Sequence, residues 1–180
     1  YAEWGNHCVD RLEGMFAFAI WDIRRQQLYL ARDRMGIKPL YYSYQGRSLR
    51  FASNSQALLA AGGVDTGIDP VALHYHFSLH GAAPAPRTIL CGIRKLAPAH
   101  TLTIDVDGGK VPRCYWTLEA TRPAQPLSEW EWIEQARTLL LEAVKRRILA
   151  ADVPVGILLS GGLDSSLLVA MLADAGIDNA

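Results

Sequence analysis

The chain has 180 residues, half of them apolar, and its 18 basic and 18 acidic residues cancel. That is enough for one comfortable domain, or one and a half small ones, around a real core. No run of Lys or Arg suits a phosphate backbone, no apolar stretch reaches the roughly 20 residues of a membrane span, and no leader segment opens the chain, so nucleic acid and membrane are excluded as partners and a soluble, cytoplasmic protein is expected.

In chain order, Met15 to Trp21 places apolar residues in both alternating sets, Phe16, Phe18 and Ile20 against Met15, Ala17, Ala19 and Trp21, which predicts a strand covered on both faces. A second strand is predicted at Leu28 to Arg32. Two more, Leu40 to Tyr44 and Leu49 to Ser53, flank a Gln45-Gly46 turn, so the four read as an antiparallel meander. A short helix is predicted from Ser55 to Ala61, ending at Gly62, and another opens at Asp69-Pro70. Pro123 and Pro126 mark residues 119–127 as a linker between two regions, 1–118 and 128–180. Beyond it, Ser128 with Glu131 fits a capping box opening a helix of about six turns. Val155 to Leu159 then reads as a buried strand, followed by a glycine pair and a helix carrying Leu167, Leu168, Met171 and Leu172. The chain begins at Tyr1 and stops after one strand-loop-helix unit, so both ends are expected to be cuts in a longer protein.

The chemistry concentrates at Leu159-Ser160-Gly161-Gly162-Leu163-Asp164-Ser165. A strand that turns through two glycines straight into a helix aims free N–H groups and the positive end of the helix dipole at one point, which attracts an anion. Glycines leave no Cβ in the way, Ser160 and Ser165 add hydroxyls, and Asp164 fits a phosphate site if it holds Mg2+. The spelling lacks the Gly-Lys of a Walker A loop, the G-x-G-x-x-G of a dinucleotide fingerprint and the glycine two residues ahead of a nucleophilic serine. The plainer alternative is a capped helix after a glycine turn.

Other residues offer less. Cys8, Cys91 and Cys114 are odd in number and never spaced C-x-x-C, so they read as reduced, packed thiols. His74 and His76, two apart on a predicted helix, point in different directions and make a poor metal pair. Arg32, Asp33, Arg34 and Lys38 cluster beside Gly36 and Pro39, which taken alone is a solvated turn.

The string from Leu158 to Ser166, preceded by Val153-Pro154-Val155-Gly156, resembles the pyrophosphate loop of the N-type ATP pyrophosphatases in its asparagine synthetase form. Residues 12–22, 31–41, 84–89 and 92–96 are similar, in order, to the second half of that family's class II glutaminase domain. The resemblance implies the rear portion of an α+β N-terminal-nucleophile-type sandwich, followed by the start of an α/β ATP-pyrophosphatase domain of the adenine nucleotide alpha hydrolase-like kind. It further implies a two-site enzyme: a cysteine at the mature N-terminus frees ammonia from glutamine, and the second domain adenylates a carboxylate for ammonia to attack. ATP and Mg2+ are the implied cofactors, glutamine and a carboxylate, foremost aspartate, the implied substrates, and a homodimer is compatible with it. By the same resemblance Leu159 to Ser165 hold ATP and its pyrophosphate, Asp164 assists Mg2+, and Arg32, Asp33, Gly36, Lys38 and Pro39 support the glutaminase side near a domain interface.

No catalytic residue is assigned, because the nucleophilic cysteine would precede Tyr1. Cys8 is internal and lacks the free α-amino group that serves as base. The 180 residues alone are therefore expected to be inactive. Two rivals share these residues: the same chemistry on another acceptor, such as a small-peptide carboxylate or a β-lactam ring closure, and a non-catalytic nucleotide-binding remnant.

Overall fold

A computed structural model describes residues 1–46 and 48–176; Arg47 and 177–180, the last residues of the predicted second region, lie outside the described residues. The chain forms two compact units, Tyr1–Glu119 and Ala120–Ala180.

The first unit carries two antiparallel sheets. One has the order β1-β2-β6-β7, with β1 Ala17–Asp22, β2 Gln27–Arg32, β6 His100–Asp105 and β7 Lys110–Cys114; the other has the order β4-β3-β5, with β3 Tyr41–Gln45, β4 Ser48–Ala52 and β5 Arg94–Lys95. The first hairpin is fixed by its turn, where Asp22 Oδ1 accepts the N–H groups of Arg24 and Arg25 at 3.0 and 2.9 Å. Leu30, Leu102 and Ile104 from the larger sheet and Leu40 and Leu96 from the smaller one share a single apolar cluster. On the other face of the larger sheet, Tyr29 and Ala31 pack with Cys8 and Val9 of a 3₁₀ helix, Gly5–Arg11. The two side-chain sets of β2 thus enter two different clusters, as a period of two requires.

The same division explains β1. Ala17 and Ala19 meet the first cluster and Phe16, Phe18 and Ile20 the second, so both sets are engaged as expected. Met15 and Trp21 depart from the expectation and are half exposed, because Met15 lies ahead of β1 and Trp21 near the far end of this edge strand. The expected meander is also corrected: β2 pairs with β6 rather than β3, and β3 with β4 forms a hairpin in the second sheet. The break falls at residues 33–39, where the backbone is tied up by side chains and cannot continue a ladder.

The helices begin where the sequence places them. Asn54 accepts the N–H of Ala57 to open α1, Ser55–Ala60. Asp69 accepts those of Val71 and Ala72 to open α2, Pro70–Ser78, and also pairs with Arg87. A side chain at this position typically contributes about 1 kcal/mol by satisfying otherwise free donors.

In the second unit, α3, Glu129–Leu149, starts with the full capping box: Glu131 N donates to Ser128 Oγ, and Ser128 N donates to Glu131 Oε2 at 2.8 Å. Val144 of α3 packs against Met171 and Leu172 of α4, Leu163–Asp174, and Arg137 pairs with Asp174 at 2.9 Å. The strand expected at Val155 to Leu159 is absent. Those residues take part in no ladder, and Leu158 is 96% exposed. A strand is a paired state, and among the described residues this unit contains no second strand to pair with. The α/β character expected of residues 128–180 is thus represented, among the described residues, by two helices and the unpaired segment between them.

Candidate functional site

The predicted anion loop forms a turn that is solvent-facing throughout, apart from half-buried Ser165. Gly161 adopts φ +78°, a region that costs a side chain dearly, whereas Gly162 adopts φ −79°, ψ 165° and caps α4. A Cβ on Gly161 would meet nothing within 4 Å, and one on Gly162 would lie 3.4 Å from Ser160 Oγ. Gly161 is therefore demanded by the turn, while Gly162 keeps the first-turn amides bare.

The two serines brace the turn from inside. Ser160 N donates to Ser165 Oγ at 3.3 Å, the two hydroxyls share a hydrogen bond at 3.1 Å, and Ser165 Oγ donates to Gly162 O at 3.1 Å. Gly162 N donates to Ser160 Oγ at 3.4 Å, but no side chain caps α4, so the amides of its first turn keep their donors for an outside acceptor. Asp164 stands in that first turn with its side chain exposed. Among the described residues no three of His, Cys, Asp and Glu come together as a metal cage. Asp164 therefore suits Mg2+ only in company with phosphate oxygens, an ordinary arrangement for that ion.

The second predicted group, residues 32–39, is not the solvated turn its composition suggests. Asp33 is buried, and its carboxylate accepts N–H bonds from Ile37 and Lys38 at 2.9 Å, Met35 at 3.2 Å and Phe16 at 3.3 Å. Arg32 does the converse: its guanidinium donates to the carbonyls of Gly36 and Leu96 at 2.6 Å and Lys38 at 2.8 Å. Burial lowers the Arg32 pKa from its ordinary value. Gly36 is required twice over, by φ +65° and by Pro98 Cγ, which would sit 2.8 Å from a Cβ. What the braced loop turns outward is Met35, Ile37, Lys38 and Pro39.

The cysteines divide. Cys8 is buried as expected, but Cys91 and Cys114 are exposed. Both lie outside the apolar clusters, in a turn and at the end of an edge strand, where no partner surface covers them. Sequence reading missed the 3₁₀ helix and the β6–β7 hairpin. The hairpin had a usable signal, the alternation Leu102, Ile104, Val106 before Asp107-Gly108-Gly109. No helix among the described residues is long and apolar enough to cross a membrane.

Two family models match the chain, one after the other. Residues 1–116 match the family model of the glutamine amidotransferase domain, and residues 135–176 match that of asparagine synthase. The chain is 41% identical over 174 residues to the glutamine-hydrolyzing asparagine synthetase 3 of Bacillus subtilis (strain 168), covering 96% of this chain and 28% of that protein. It is 35% identical over 171 residues to asparagine synthetase 1 of the same organism, covering 95% and 26%. It is also 38% identical over 176 residues to amidase chyE of Penicillium rubens, covering 97% and 25%. The chain thus spans little more than a quarter of the length of these curated relatives.

Proposed function

The chain belongs to the glutamine-dependent asparagine synthetase family, and from that premise we propose that its full-length protein converts aspartate, glutamine and ATP into asparagine, glutamate, AMP and diphosphate. The observation that carries this reading is the order of the two matches, with the loop of residues 160–165 and the uncapped start of α4 inside the second.

The chemistry is consistent with that loop. Forming an acyl adenylate expels pyrophosphate, whose charge must be stabilised as it leaves. N–H groups at the start of α4, with the helix dipole behind them, supply that stabilisation without reorganising, because Ser160 and Ser165 already hold the turn. Asp164 would hold Mg2+ against the phosphates, and the ion would neutralise developing charge there. Cys8 takes no part as nucleophile, since it is internal and packed beside Val9 and Tyr29. The braced loop of residues 32–39 serves an interface to another part of the full-length protein, a role its outward Met35 and Ile37 support.

A second reading keeps the chemistry and changes the acceptor, favoured by the similar identity to a protein named an amidase. ATP–pyrophosphate exchange by the full-length protein separates them. Exchange that depends on aspartate supports the first reading, and exchange that ignores aspartate but responds to another carboxylate sinks it. Absence of any exchange, together with loss of Mg-pyrophosphate binding, would leave only a non-catalytic remnant.

A further inference from the structure

Beyond β7 the chain is fastened once more before it leaves the first unit. Residues 117–126 are exposed and lie outside any helix or strand. Tyr115, just ahead of them, is held at three points. Its N–H donates to Ala99 O at 2.9 Å, its hydroxyl donates to Arg32 O at 2.8 Å, and its side chain packs against the cluster of Cys8, Val9, Tyr29 and Ala31. Burial, and after it the Asp33 charge, pushes the Tyr115 pKa up to about 12, so the hydroxyl keeps its proton and its donor role through the neutral range.

Two of these contacts lead back to one residue pair. Tyr115 reaches Arg32 directly, and it reaches Asp33 through Ala99, whose N–H donates to Asp33 O at 2.9 Å. The same two residues hold the loop of residues 33–38 through their side chains: Asp33 accepts the N–H groups of Ile37 and Lys38, and Arg32 donates to the carbonyls of Gly36 and Lys38. Each of the pair thus serves the loop with its side chain and the departing chain with its carbonyl. The Trp116 ring, 5.9 Å from Arg34 Cζ, adds a cation–π contact between the same two segments. Proteins open in small cooperative units below the global unfolding limit, and segments with few apolar contacts and exposed surroundings open first. Met35, Ile37 and Lys38 are exposed, as are residues 117–126.

We infer that residues 33–38 and the segment around Tyr115 form one conformational unit, with Tyr115 as the latch that closes the root of residues 117–126 onto the loop. The unit opens and closes as a whole while the sheets stay intact. Because linkage is reciprocal, a contact that steadies the outward face of the loop also steadies the chain leaving for the second unit. This device goes beyond the reaction proposed above and does not depend on it.

Native-state amide hydrogen exchange, resolved by NMR on the 180-residue chain and on Tyr115→Phe, tests it. In the parent chain the N–H groups of Ile37, Lys38, Ala99 and Tyr115 should share one opening free energy and one denaturant dependence, below those of Leu30 and Leu102 in the central strands β2 and β6. Opening free energies equal to those of Leu30 and Leu102 would mean that the four open only with the whole sheet, and would overturn the proposal without recourse to any variant. Tyr115→Phe removes the hydroxyl bond alone and should lower protection at all four amides by a common factor, about fivefold for one neutral hydrogen bond. Protection lost at Ala99 and Tyr115 but kept at Ile37 and Lys38 would show two independent segments and overturn it as well. Unchanged protection at all four would show that the hydroxyl is no latch.

Discussion

Asp33 and Arg32 clasp one loop from opposite chemical sides, the carboxylate gathering four N–H groups and the guanidinium three carbonyls. Buried backbone groups must find partners, and residues 33–38 have no ladder to supply them. Two adjacent ions therefore do what a sheet does elsewhere. The loop is made rigid without regular structure, and its apolar side chains can face outward.

Asp33→Asn tests that relationship. The amide keeps the shape but turns an –NH2 toward backbone N–H donors, leaving buried groups unsatisfied, so the variant should lose about 2–4 kcal/mol in chemical denaturation. Arg32→Lys can reach one carbonyl where arginine reaches three, and should lose about 1–3 kcal/mol. Stabilities within error of the parent chain would mean that the loop is held by something other than these bonds.

At the anion loop the two glycines should separate. Gly161→Ala forces a Cβ into the left-handed region, costing about 1–2 kcal/mol, and should weaken Mg-pyrophosphate binding about tenfold by disturbing the turn itself. Gly162→Ala leaves the turn intact, so any loss of affinity reports a methyl group standing between amide and phosphate. Calorimetry on both, with Asp164→Ala as the metal-dependent control, measures the difference. Equal binding by Gly161→Ala and the parent chain would show that the turn is not the binding element.

The part of this fold legible in the sequence was the part that local chemistry decides. Asp69 and Ser128 cap their helices through their own side chains, so their positions could be read residue by residue. Strand partners were not legible, because the apolar alternation of β2 suits β3 or β6 equally and the choice is made by the clasp at residues 32–38. Val155 to Leu159 failed for a related reason: its apolar run describes a strand's environment, and the pairing lies in another strand. At the candidate sites, Gly161 was legible from its turn, while the burial of Asp33 was not, since a short run of charged residues ordinarily marks a solvated surface.

The thiols offer a direct check of the packing. Cys91 and Cys114 should react with an aromatic disulfide reagent in the native chain at nearly the rate of a free thiol, and Cys8 only after denaturant unfolds its cluster. Two thiols titrated before unfolding and a third after it is the expected count. Three at once would mean that the 3₁₀ helix does not cover Tyr29 and Ala31.

Asp69 is one of the carboxylates that make the first unit acid-sensitive, with Asp10 and Asp22. Its carboxyl lies below the usual carboxylate range chiefly because Ala72 N donates to it; burial opposes this, and the Arg87 guanidinium and Val71 N add to the lowering. A group depressed in the folded state contributes stability that is fully present above its unfolded value, near 3.8, and is lost as the pH falls through the folded value. Asp69→Asn still caps α2 but carries no charge for Arg87, so it removes the titrating part and keeps the cap. In urea denaturation the parent chain should therefore be the more stable at neutral pH, and the difference should shrink as the pH falls below 3.8 and through the folded value. A difference that persists unchanged into acid would assign the effect to packing around Asp69 rather than to its charge.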